Sequence, residues 1–428
     1  MDTQITFVHG AFLPQGIVGL HHDKQYSKDF KMQIATAWST QEDGNSAITQ
    51  AYESLQQQLG AAPDLLVFHC STGYDSESLF KQLRSLAPGS ALHGGTSCQG
   101  VMTQAGYHSA DGRGLGLLGI VDEDGSYGVG VADLGDDPKA AAELAASRAL
   151  EHAEEPGAIP DMVWITAAPG AEEQVIAGIE NLFGQQVPIA GGSSGDNAVS
   201  GVWKQFANDE MHENAVVVSV LFPDADVMFA FHSGYEPTKH SGTVTKAENR
   251  ILLEIDGRPA AKVYDEWTEG VLSEHLQSAG NVLGQTTLFP LGREVGHVGN
   301  VPYYELSHPD TVREDGGLTL FADTKVGDKF ILMKGSQESL VTRAGRVAET
   351  AMKTNDKSID DLAGALVIYC AGCMLTVQDS MGEVAKGISD AIGGHPFLGT
   401  FTFGEQGCFL GGENRHGNLM ISVLLFGK

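Results

Sequence analysis

Residues 63–121 set out a plan that the chain uses three times. They read PDLLVFHCSTG (63–73), a helical run, SALHGGTSCQG (90–100), a polar loop and GLGLLGIV (114–121). The second copy reads PDMVWITAAPG (160–170), VPIAGGSSGDN (187–197) and AVVVSVLF (215–222). The third reads GALVIYCAGC (364–373), HPFLGTFTFGEQG (395–407) and NLMISVLLF (418–426). Self-similarity of this kind is typical of internally repeated proteins, so the sequence predicts three related units.

Each copy has a preface made of a strand-like run and a helix. The runs are MQIATAW (32–38), SYGVGVADL (126–134) and DKFILM (328–333). In the first helix Asn45 or Ser46 can act as the N-cap. In the second, Asp137 caps and Pro138 takes the first helical position, where a missing N–H needs no partner. In the third, Ser336 is the predicted cap.

The unit is therefore strand, helix, strand, helix and three strands. Because three consecutive strands need hairpins, we predict an α/β fold with mixed or antiparallel sheets flanked by helices. A non-repeat, β-rich segment lies between the second and third copies. The turn DEDGS (122–126) predicts a hairpin, so the first two copies would share one sheet system. We interpret residues 1–31 as an N-terminal extension because they show no periodicity.

Composition excludes several classes of protein. The chain of 428 residues is 42% hydrophobic and carries a formal charge of −29, which disfavours nucleic acid and anionic membranes as partners. No apolar run reaches the roughly 18 residues that a membrane span needs, and the first residues lack the features of a secretory signal. The five cysteines are few and odd in number, which fits a reducing compartment. We therefore expect a cytoplasmic protein.

Six stretches, taken in order, resemble one protein family. They are IATAWST (34–40), HGGTSCQG (93–100), LEIDGRPAAKVYDEW (253–267), LFADTKVGDKFILMKG (320–335), CAGCMLTVQD (370–379) and FTFGEQGCF (401–409). Together they are similar to the FIST family, which pairs a FIST N region with a FIST C region. The resemblance covers residues 32–428 and implies a FIST N domain at 32–222 and a FIST C domain at 223–428.

The resemblance also implies a function. FIST proteins are regarded as sensory, ligand-binding modules of signal transduction, with amino acids among the proposed ligands. One branch binds haem, senses nitric oxide and regulates a histidine kinase or a cyclic-di-GMP enzyme. Because no such enzyme sequence is attached to this chain, we expect it to act on a separate partner protein.

Small residues recur after a short apolar strand in all three copies. Glycine lets the backbone approach a ligand closely, and amides with hydroxyls can hold a carboxylate or phosphate. The alternative is that glycine only lets strands bend and pack tightly. The candidate ligand-binding residues are Gly94, Gly95, Thr96, Ser97, Gly192, Ser193, Ser194, Asn197, Thr400 and Glu405.

A second candidate ligand site lies at Arg258 and Tyr264. Arg258 can bind a carboxylate with two hydrogen bonds, and Tyr264 or Trp267 can form an aromatic wall beside it. The alternative is a structural turn with a salt bridge, followed by an amphipathic helix that packs Tyr264 into a core.

The haem hypothesis depends on the histidines. Met374 follows the CAGC sequence, so a CxxCH motif is missing and the cofactor would be non-covalent haem b. Its axial ligand would be a neutral imidazole in a roomy apolar pocket. The candidates, in order, are His240, His232, His308 and His93. The alternative for each is a surface or hydrogen-bonded histidine.

The cysteines suggest a different class of function. Cys70 and Cys370 end the central strands of the first and third copies, and a thiol beside a base can be a nucleophile. Cys370 and Cys373 form a single CxxC, which can be redox-active or half of a metal site, although free cysteines are often buried for packing. An HExxH motif is missing and no complete catalytic constellation is present, so we predict neither catalytic residues nor a metal site.

The leading hypothesis is therefore a cytoplasmic sensor of a small ligand. Haem-based nitric oxide sensing is one version, and sensing of an amino acid or another small polar metabolite is the other. A thiol-dependent enzyme that uses Cys70 or Cys370 is the alternative. A homo-oligomer stays open.

Overall fold

The first unit follows the predicted order of elements. The computed structural model describes residues 32–298 and 301–428, and the extension predicted at residues 1–31 lies outside them. The elements of the first unit are β1 (Gln33–Ser39), α1 (Gly44–Leu59), β2 (Leu65–Ser71), α2 (Ser76–Leu86), β3 (Ala91–Ser97), β4 (Val101–Thr103), β5 (Gly106–His108) and β6 (Leu115–Val121).

The second unit repeats this order without interruption. Its elements are β7 (Ser126–Asp133), α3 (Pro138–His152), β8 (Met162–Ala167), α4 (Glu172–Phe183), β9 (Ile189–Ser193), β10 (Gln205–Ala207), β11 (Glu210–His212) and β12 (Ala215–Phe222).

The third unit is split by an inserted segment, residues 236–334. The unit starts with β13 (Val227–His232). The insert contains β14 (Glu236–Glu248), β15 (Ile251–Ile255), β16 (Arg258–Pro259), α5 (Ala260–Trp267), β17 (Gly280–Asn281), α6 (Leu283–Thr286), β18 (Leu291–Val298), β19 (Val301–Ser307), β20 (Pro309–Val312), β21 (Leu318–Leu320) and β22 (Lys329–Lys334). The unit resumes with α7 (Gln337–Lys353), a 3-10 turn (Ile359–Asp361), β23 (Leu362–Cys370), α8 (Ala371–Thr376), a 3-10 turn (Gln378–Ser380), α9 (Met381–Ala391), β24 (Phe397–Thr402), β25 (Glu405–Cys408), β26 (Asn414–Gly417) and β27 (Ile421–Gly427).

All three units build a sheet with the same strand order. The orders are β1-β6-β2-β3, β7-β12-β8-β9 and β13-β27-β23-β24. The last two strands of each run parallel, because a helix carries the chain from one to the next. The other neighbours are antiparallel. The mixed-sheet α/β class and the three related units are thereby confirmed.

The remaining hairpin of each unit extends the sheet of another unit. Hairpin β10–β11 pairs with β3, hairpin β25–β26 pairs with β9, and hairpin β4–β5 pairs with β24. The second unit thus completes the first sheet, the third completes the second, and the first completes the third. This cyclic exchange gives a ring of three six-stranded sheets with pseudo-threefold symmetry.

The helix pair of each unit lies outside the ring, and the three sheets pack together at its centre. Each pair of helices packs on the outer face of its own sheet, and α1 does so through Ile48 and Leu55. The inner faces of all three sheets meet in one core, which includes Val67, Trp164 and Ile368. The insert has a separate core around Val244 and Tyr264. In the described part of the chain, no helix is long and apolar enough to cross a bilayer.

The first strand of the third unit differs from the prediction. DKFILM (328–333) corresponds to β22, which pairs with β14 and β18 inside the insert. The strand equivalent to β1 and β7 is β13, because it pairs antiparallel with the last strand, β27. The β-rich segment therefore interrupts the third unit after its first strand. The prediction failed because DKFILM lies next to α7 in sequence and has the alternation of a strand.

The prediction of a hairpin at DEDGS (122–126) is also wrong. Both edges of β6 are already occupied, by β1 and β2, so β7 cannot pair with β6 and starts the second sheet instead. The turn is held by Asp122, whose carboxylate accepts hydrogen bonds from Tyr127 Oη at 2.7 Å and Asp224 N at 3.1 Å.

Two of the three helix caps are as predicted. Asp137 and Ser336 accept hydrogen bonds from the backbone of α3 and α7. In α1 the cap is Asp43 rather than Asn45 or Ser46, because its carboxylate accepts from Ser46 N at 2.8 Å and the helix already begins at Gly44.

Candidate functional site

The three small-residue strands, β3, β9 and β24, end together at the centre of the ring. Their ends are joined by backbone hydrogen bonds from Cys98 N to Phe401 O (3.0 Å), from Gly195 N to Thr96 O (2.9 Å) and from Phe403 N to Ser193 O (3.1 Å). These bonds run once around the three units. The sequence-predicted loops are therefore brought to one place.

The glycines at this centre occupy positions where a side chain has no room. A Cβ atom at Gly95 would lie 2.6 Å from Thr166 Cγ2, and one at Gly192 would lie 2.5 Å from Thr402 Cγ2. A Cβ at Gly94 would lie 1.9 Å from the carbonyl oxygen of Phe68. Close approach of two units therefore requires glycine at Gly95 and Gly192, and the contact between β2 and β3 within the first unit requires it at Gly94.

Most polar candidates of the first two copies are hydrogen bonded inside the protein. The contacts are Lys204 N to Thr96 Oγ1 (3.0 Å), Phe401 N to Ser97 Oγ (2.8 Å), Ser193 Oγ to Glu172 Oε1 (2.8 Å), Ser194 Oγ to Lys204 O (3.1 Å) and Asn197 Nδ2 to Gly112 O (2.8 Å). Thr400 is buried, and within residues 32–298 and 301–428 its hydroxyl has no hydrogen-bond partner.

A cavity of about 260 Å³ opens where β23 and β24 end. We call it the unit-interface cavity, because the second unit, the third unit and the insert all line it. Its lining residues are Pro169, Gly170, Glu172, Val199, Trp203, Arg250, Leu283, His308, Phe321, Cys370, Gly372, Leu375, Thr402, Phe403, Glu405 and Asn418. Of the predicted residues, Glu405 and His308 lie here, together with Cys370.

Aromatic rings form much of the cavity wall. Trp203 and Phe403 meet edge to face, with their ring centroids 6.1 Å apart, and Phe321 comes from the insert. Apolar walls with a few polar groups among them are the usual composition of a small-molecule site.

Glu405 is a buried carboxyl group at the start of β25. Its side chain is fully inaccessible, and its oxygens accept hydrogen bonds from Thr402 Oγ1 (2.9 Å) and Met420 N (3.0 Å). Burial raises the pKa of Glu405 well above its ordinary value, and these two hydrogen bonds oppose that shift only in part. Burial therefore favours the neutral form of this carboxyl group.

Glu172, at the start of α4, is equally buried but ionised. Burial raises the pKa of Glu172, but the charges of His416 and Arg250 outweigh it and lower the pKa to about 2. Arg250 Nη2 donates to Glu172 Oε2 at 2.7 Å and also to Glu173, and its Nε donates to Asp323 at 3.2 Å. Arg250 therefore faces three carboxylates, so negative charges outnumber positive ones among these four side chains.

His308 and Cys370 complete the polar wall. His308 is buried and hydrogen bonds through Nε2 to Thr286 Oγ1 (3.0 Å) and Leu283 O (3.2 Å). Burial lowers the pKa of His308 to about 4, so its imidazole is neutral. Burial raises the pKa of Cys370 well above that of an ordinary thiol, and the pKa of Cys70 is raised for the same reason.

The other three histidine candidates lie away from the cavity. His93 is buried, with Nδ1 2.7 Å from Ser219 Oγ and Nε2 2.8 Å from Thr166 Oγ1, so both ring nitrogens are occupied. His232 Nδ1 contacts the carbonyl oxygen of Ser233. The ring of His240 stacks on Trp267 at a centroid distance of 6.4 Å.

Arg258 and Tyr264 also lie away from it, in the insert. Arg258 is about half exposed and pairs with Glu266. Tyr264 is buried in the core of the insert, where Tyr264 Oη donates to Phe289 O at 2.6 Å.

Sequence reasoning missed Glu172, Arg250 and Trp203. Glu172 and Arg250 are 78 positions apart in the chain. Their pairing has no local signature, because it forms only when the insert folds against α4. The one available signal was an acidic residue in the first turn of a predicted helix.

A larger cleft of about 430 Å³ is lined by Glu173 and Asp323, two of the carboxylates that pair with Arg250. Its charged wall includes Arg293, which already pairs with Glu305 and with Asp328. Arg293 in the larger cleft is already paired, whereas the walls of the unit-interface cavity are largely apolar. The unit-interface cavity is therefore the better candidate for a small-molecule site.

Two solved structures align with most of the chain at low similarity. Cyanuric acid hydrolase from A. caulinodans aligns with 93% of this chain and 100% of its own, at 9% identity and a TM-score of 0.35. PurL from T. maritima in complex with ATP aligns with 92% of this chain and 71% of its own, at 10% identity and a TM-score of 0.22.

Sequence relatives give a clearer result. The uncharacterized protein MJ1623 of Methanocaldococcus jannaschii is 33% identical over 91 residues, which are 21% of this chain and 17% of that protein. The chain thus spans under a fifth of that relative. The FIST N domain matches residues 64–258, and the FIST C domain matches residues 260–408. FIST domains are associated with small-ligand sensing in signalling. This chain belongs to the FIST family.

Proposed function

We propose that this protein is a cytoplasmic sensor that binds a small amine-bearing metabolite, such as an amino acid, in the unit-interface cavity. It would pass the signal to a separate protein by a change of shape. The observation that carries the proposal is the set of two buried carboxyl groups, Glu172 and Glu405, beside aromatic walls.

The local charge favours a cationic group on the ligand. Arg250 is already outnumbered by Glu172, Glu173 and Asp323, all within 3.2 Å of its nitrogens. In a poorly solvated cavity an anion would be repelled by this excess of negative charge, whereas an ammonium group would be attracted. Aromatic faces add cation–π attraction of about 0.5–2 kcal/mol.

Glu405 gives the site a latent charge. Burial disfavours the ionised form of the carboxyl group before a ligand binds. An ammonium group placed beside it would favour the carboxylate, so binding would release a proton from Glu405. The affinity for an amine should therefore rise with pH until Glu405 ionises without the ligand.

The size of the cavity favours a metabolite over haem. Sites for drug-sized ligands occupy about 300–1,000 Å³, and this cavity has about 260 Å³. Of the four candidate axial ligands, only His308 lines it. The described residues therefore do not fit haem at this site, and haem-based nitric oxide sensing becomes the second version of the proposal.

The position of the cavity suggests how a signal would travel. Trp203 belongs to the second unit, Glu405 to the third, and Arg250 to the insert. A ligand that draws these walls together would shift the three parts relative to one another. The family resemblance makes a histidine kinase or a cyclic-di-GMP enzyme the partner to test first.

Calorimetric titration against amino acids, small amines and matching carboxylic acids tests the proposal. We expect an ammonium-bearing ligand to bind with proton release, seen as a heat that depends on the ionisation enthalpy of the buffer. Glu405→Gln should lower its affinity at least about tenfold, equivalent to about 1.4 kcal/mol, and Trp203→Ala should also lower it. Glu349→Gln, on the surface of α7, is the matched control. Binding of acids alone, or full affinity in Glu405→Gln, would refute the amine proposal.

The haem version has a spectroscopic test. If it holds, reconstitution with haemin gives a Soret band that shifts with nitric oxide and is lost in His308→Ala but kept in His240→Ala. Reconstituted protein without a Soret band removes this version.

A further inference from the structure

Arg343 is a fully buried cation that makes no salt bridge within residues 32–298 and 301–428. It lies on α7, is 1% exposed, and donates from Nη1 to Leu419 O at 2.9 Å. Its Nε and Nη2 have no hydrogen-bond partner among the described residues. The guanidinium group lies 5.5 and 5.2 Å from the ring centroids of Tyr235 and Tyr369. A buried charge without a counter-ion is costly, so the surroundings should supply an anion.

Several ionisable groups surround Arg343: the phenols of Tyr235 and Tyr369, the thiols of Cys370 and Cys373, and the Glu405 carboxyl group. Among these groups, Cys373 is the one whose pKa the surroundings lower. Cys373 is fully buried, and its sulfur lies 3.6 Å from Tyr235 Oη. Burial raises the pKa of Cys373, but the Cys370 thiol and the Arg343 charge outweigh it and lower the pKa below that of an ordinary thiol. The other four cysteines have raised pKa values because of burial. Cys373 therefore differs chemically from every other thiol of the chain.

Cys370 connects this group to the unit-interface cavity. It lines the cavity, whereas Cys373 lies behind it, one helical turn along the chain. A Cβ atom at Gly372 would be in ordinary van der Waals contact with Cys370 Sγ, at 3.7 Å, so the thiol lies beside this turn of α8. A small oxidant that enters the cavity would meet Cys370 and Cys373 before any other thiol.

We propose that Cys373 is a thiolate with Arg343 as its counter-ion, and that Cys373 and Cys370 form a redox-active dithiol oxidised by a small hydroperoxide. This function is separate from ligand sensing and does not depend on the identity of the ligand.

The chemistry balances with hydrogen peroxide as the oxidant. The Cys373 thiolate attacks one peroxide oxygen, the O–O bond breaks, and the departing hydroxide takes a proton from solvent to become water. This leaves a sulfenic acid on Cys373. Cys370 sulfur then attacks the sulfenic sulfur, the S–S bond forms, the S–O bond breaks, and the thiol proton leaves with the hydroxide as a second water. The two thiols lose two electrons, and the peroxide gains them.

Peptide mass spectrometry of the full chain tests the proposal. Reduced protein is treated with one equivalent of hydrogen peroxide at pH 7, quenched with iodoacetamide in denaturant, and digested. We expect a Cys370–Cys373 disulfide to form at least about tenfold faster than Cys98 or Cys408 is oxidised, because an ordinary thiol is only a few per cent ionised at this pH. Oxidation of Cys370 and Cys373 no faster than that of Cys98 would overturn the proposal.

Variants separate the two thiols and the counter-ion. In Cys370→Ser, dimedone should trap the sulfenic acid on Cys373. In Cys373→Ser, Cys370 should stay reduced and the thiolate absorbance at 240 nm should be lost, whereas Cys98→Ser should behave as the parent protein. Arg343→Lys should retain the fast reaction, and Arg343→Gln should slow it. Should Arg343→Gln not fold, the two cysteine variants decide, and unchanged oxidation of Cys370 in Cys373→Ser refutes the proposal.

Discussion

Replacing Glu405 by glutamine should stabilise the fold at pH 7. Glu405 is inaccessible to solvent, and burial raises the pKa of its carboxyl group well above the ordinary 4.5. The glutamine side chain would have the shape of the neutral acid. Its amide oxygen can accept from Met420 N, and its amide nitrogen can donate to Thr402 Oγ1, so both contacts of the parent side chain are retained.

The size of this stabilisation follows from the free energy of keeping a proton on Glu405 when the protein folds. In the unfolded chain a carboxyl group with a pKa of 4.5 is ionised at pH 7. Keeping it protonated on folding costs up to about 3 kcal/mol at pH 7, because each pH unit above 4.5 adds about 1.4 kcal/mol. A raised folded-state pKa contributes stability below pH 4.5 that is lost as the pH rises. The parent protein should therefore lose up to about 3 kcal/mol of stability relative to Glu405→Gln between pH 4.5 and 7.

Urea denaturation at pH 4.5, 5.5 and 7 measures this difference. The free energy of unfolding of Glu405→Gln should exceed that of the parent at pH 7 and approach it at pH 4.5. Glu349→Gln should shift stability by less than about 0.5 kcal/mol at every pH, as surface ion pairs do. A Glu405→Gln protein less stable than the parent at pH 7, or a difference independent of pH, would refute a buried neutral acid.

Two further substitutions test the packing of the site. Arg250→Met removes the cation beside the ionised Glu172 and should lower the free energy of unfolding by about 3 kcal/mol, measured by urea denaturation at pH 7. Adding Glu172→Gln should recover most of that loss. Additive effects of the two substitutions would contradict the pairing. Gly192→Ala places a Cβ atom 2.5 Å from Thr402 Cγ2 and should lower the free energy of unfolding by about 1–3 kcal/mol. Gly382→Ala, at an open position of α9, should instead raise it by about 0.5–1 kcal/mol, and equal effects at both glycines would contradict close packing at the centre.

The stabilising effect of Glu405→Gln and its loss of ligand affinity belong together. A buried carboxyl group that forms no salt bridge costs stability, and the same group is what an ammonium ligand would ionise. Glutamine removes both the unfavourable burial of the carboxyl group and the negative charge that an ammonium ligand would induce. Functional sites commonly trade stability for binding in this way.

The sequence alone determined the local features of this protein. Repeated apolar runs identified the strands of three related units except the first strand of the third, and residues such as Asp137, Pro138 and Ser336 marked where helices begin. These features are readable because helix caps and hydrophobic periodicity act within a few residues. The family resemblance came from the same short stretches.

The tertiary structure alone decided how the units combine. The hairpin of each unit completes the sheet of another, which brings Glu405 beside Gly192, and the insert carries Arg250 to Glu172. An exposed strand edge accepts any chain with free backbone groups, so pairing partners leave no local trace in the sequence. The cavity exists because three separate parts of the chain meet there. Its buried charges are therefore a property of the assembled ring and not of any single motif.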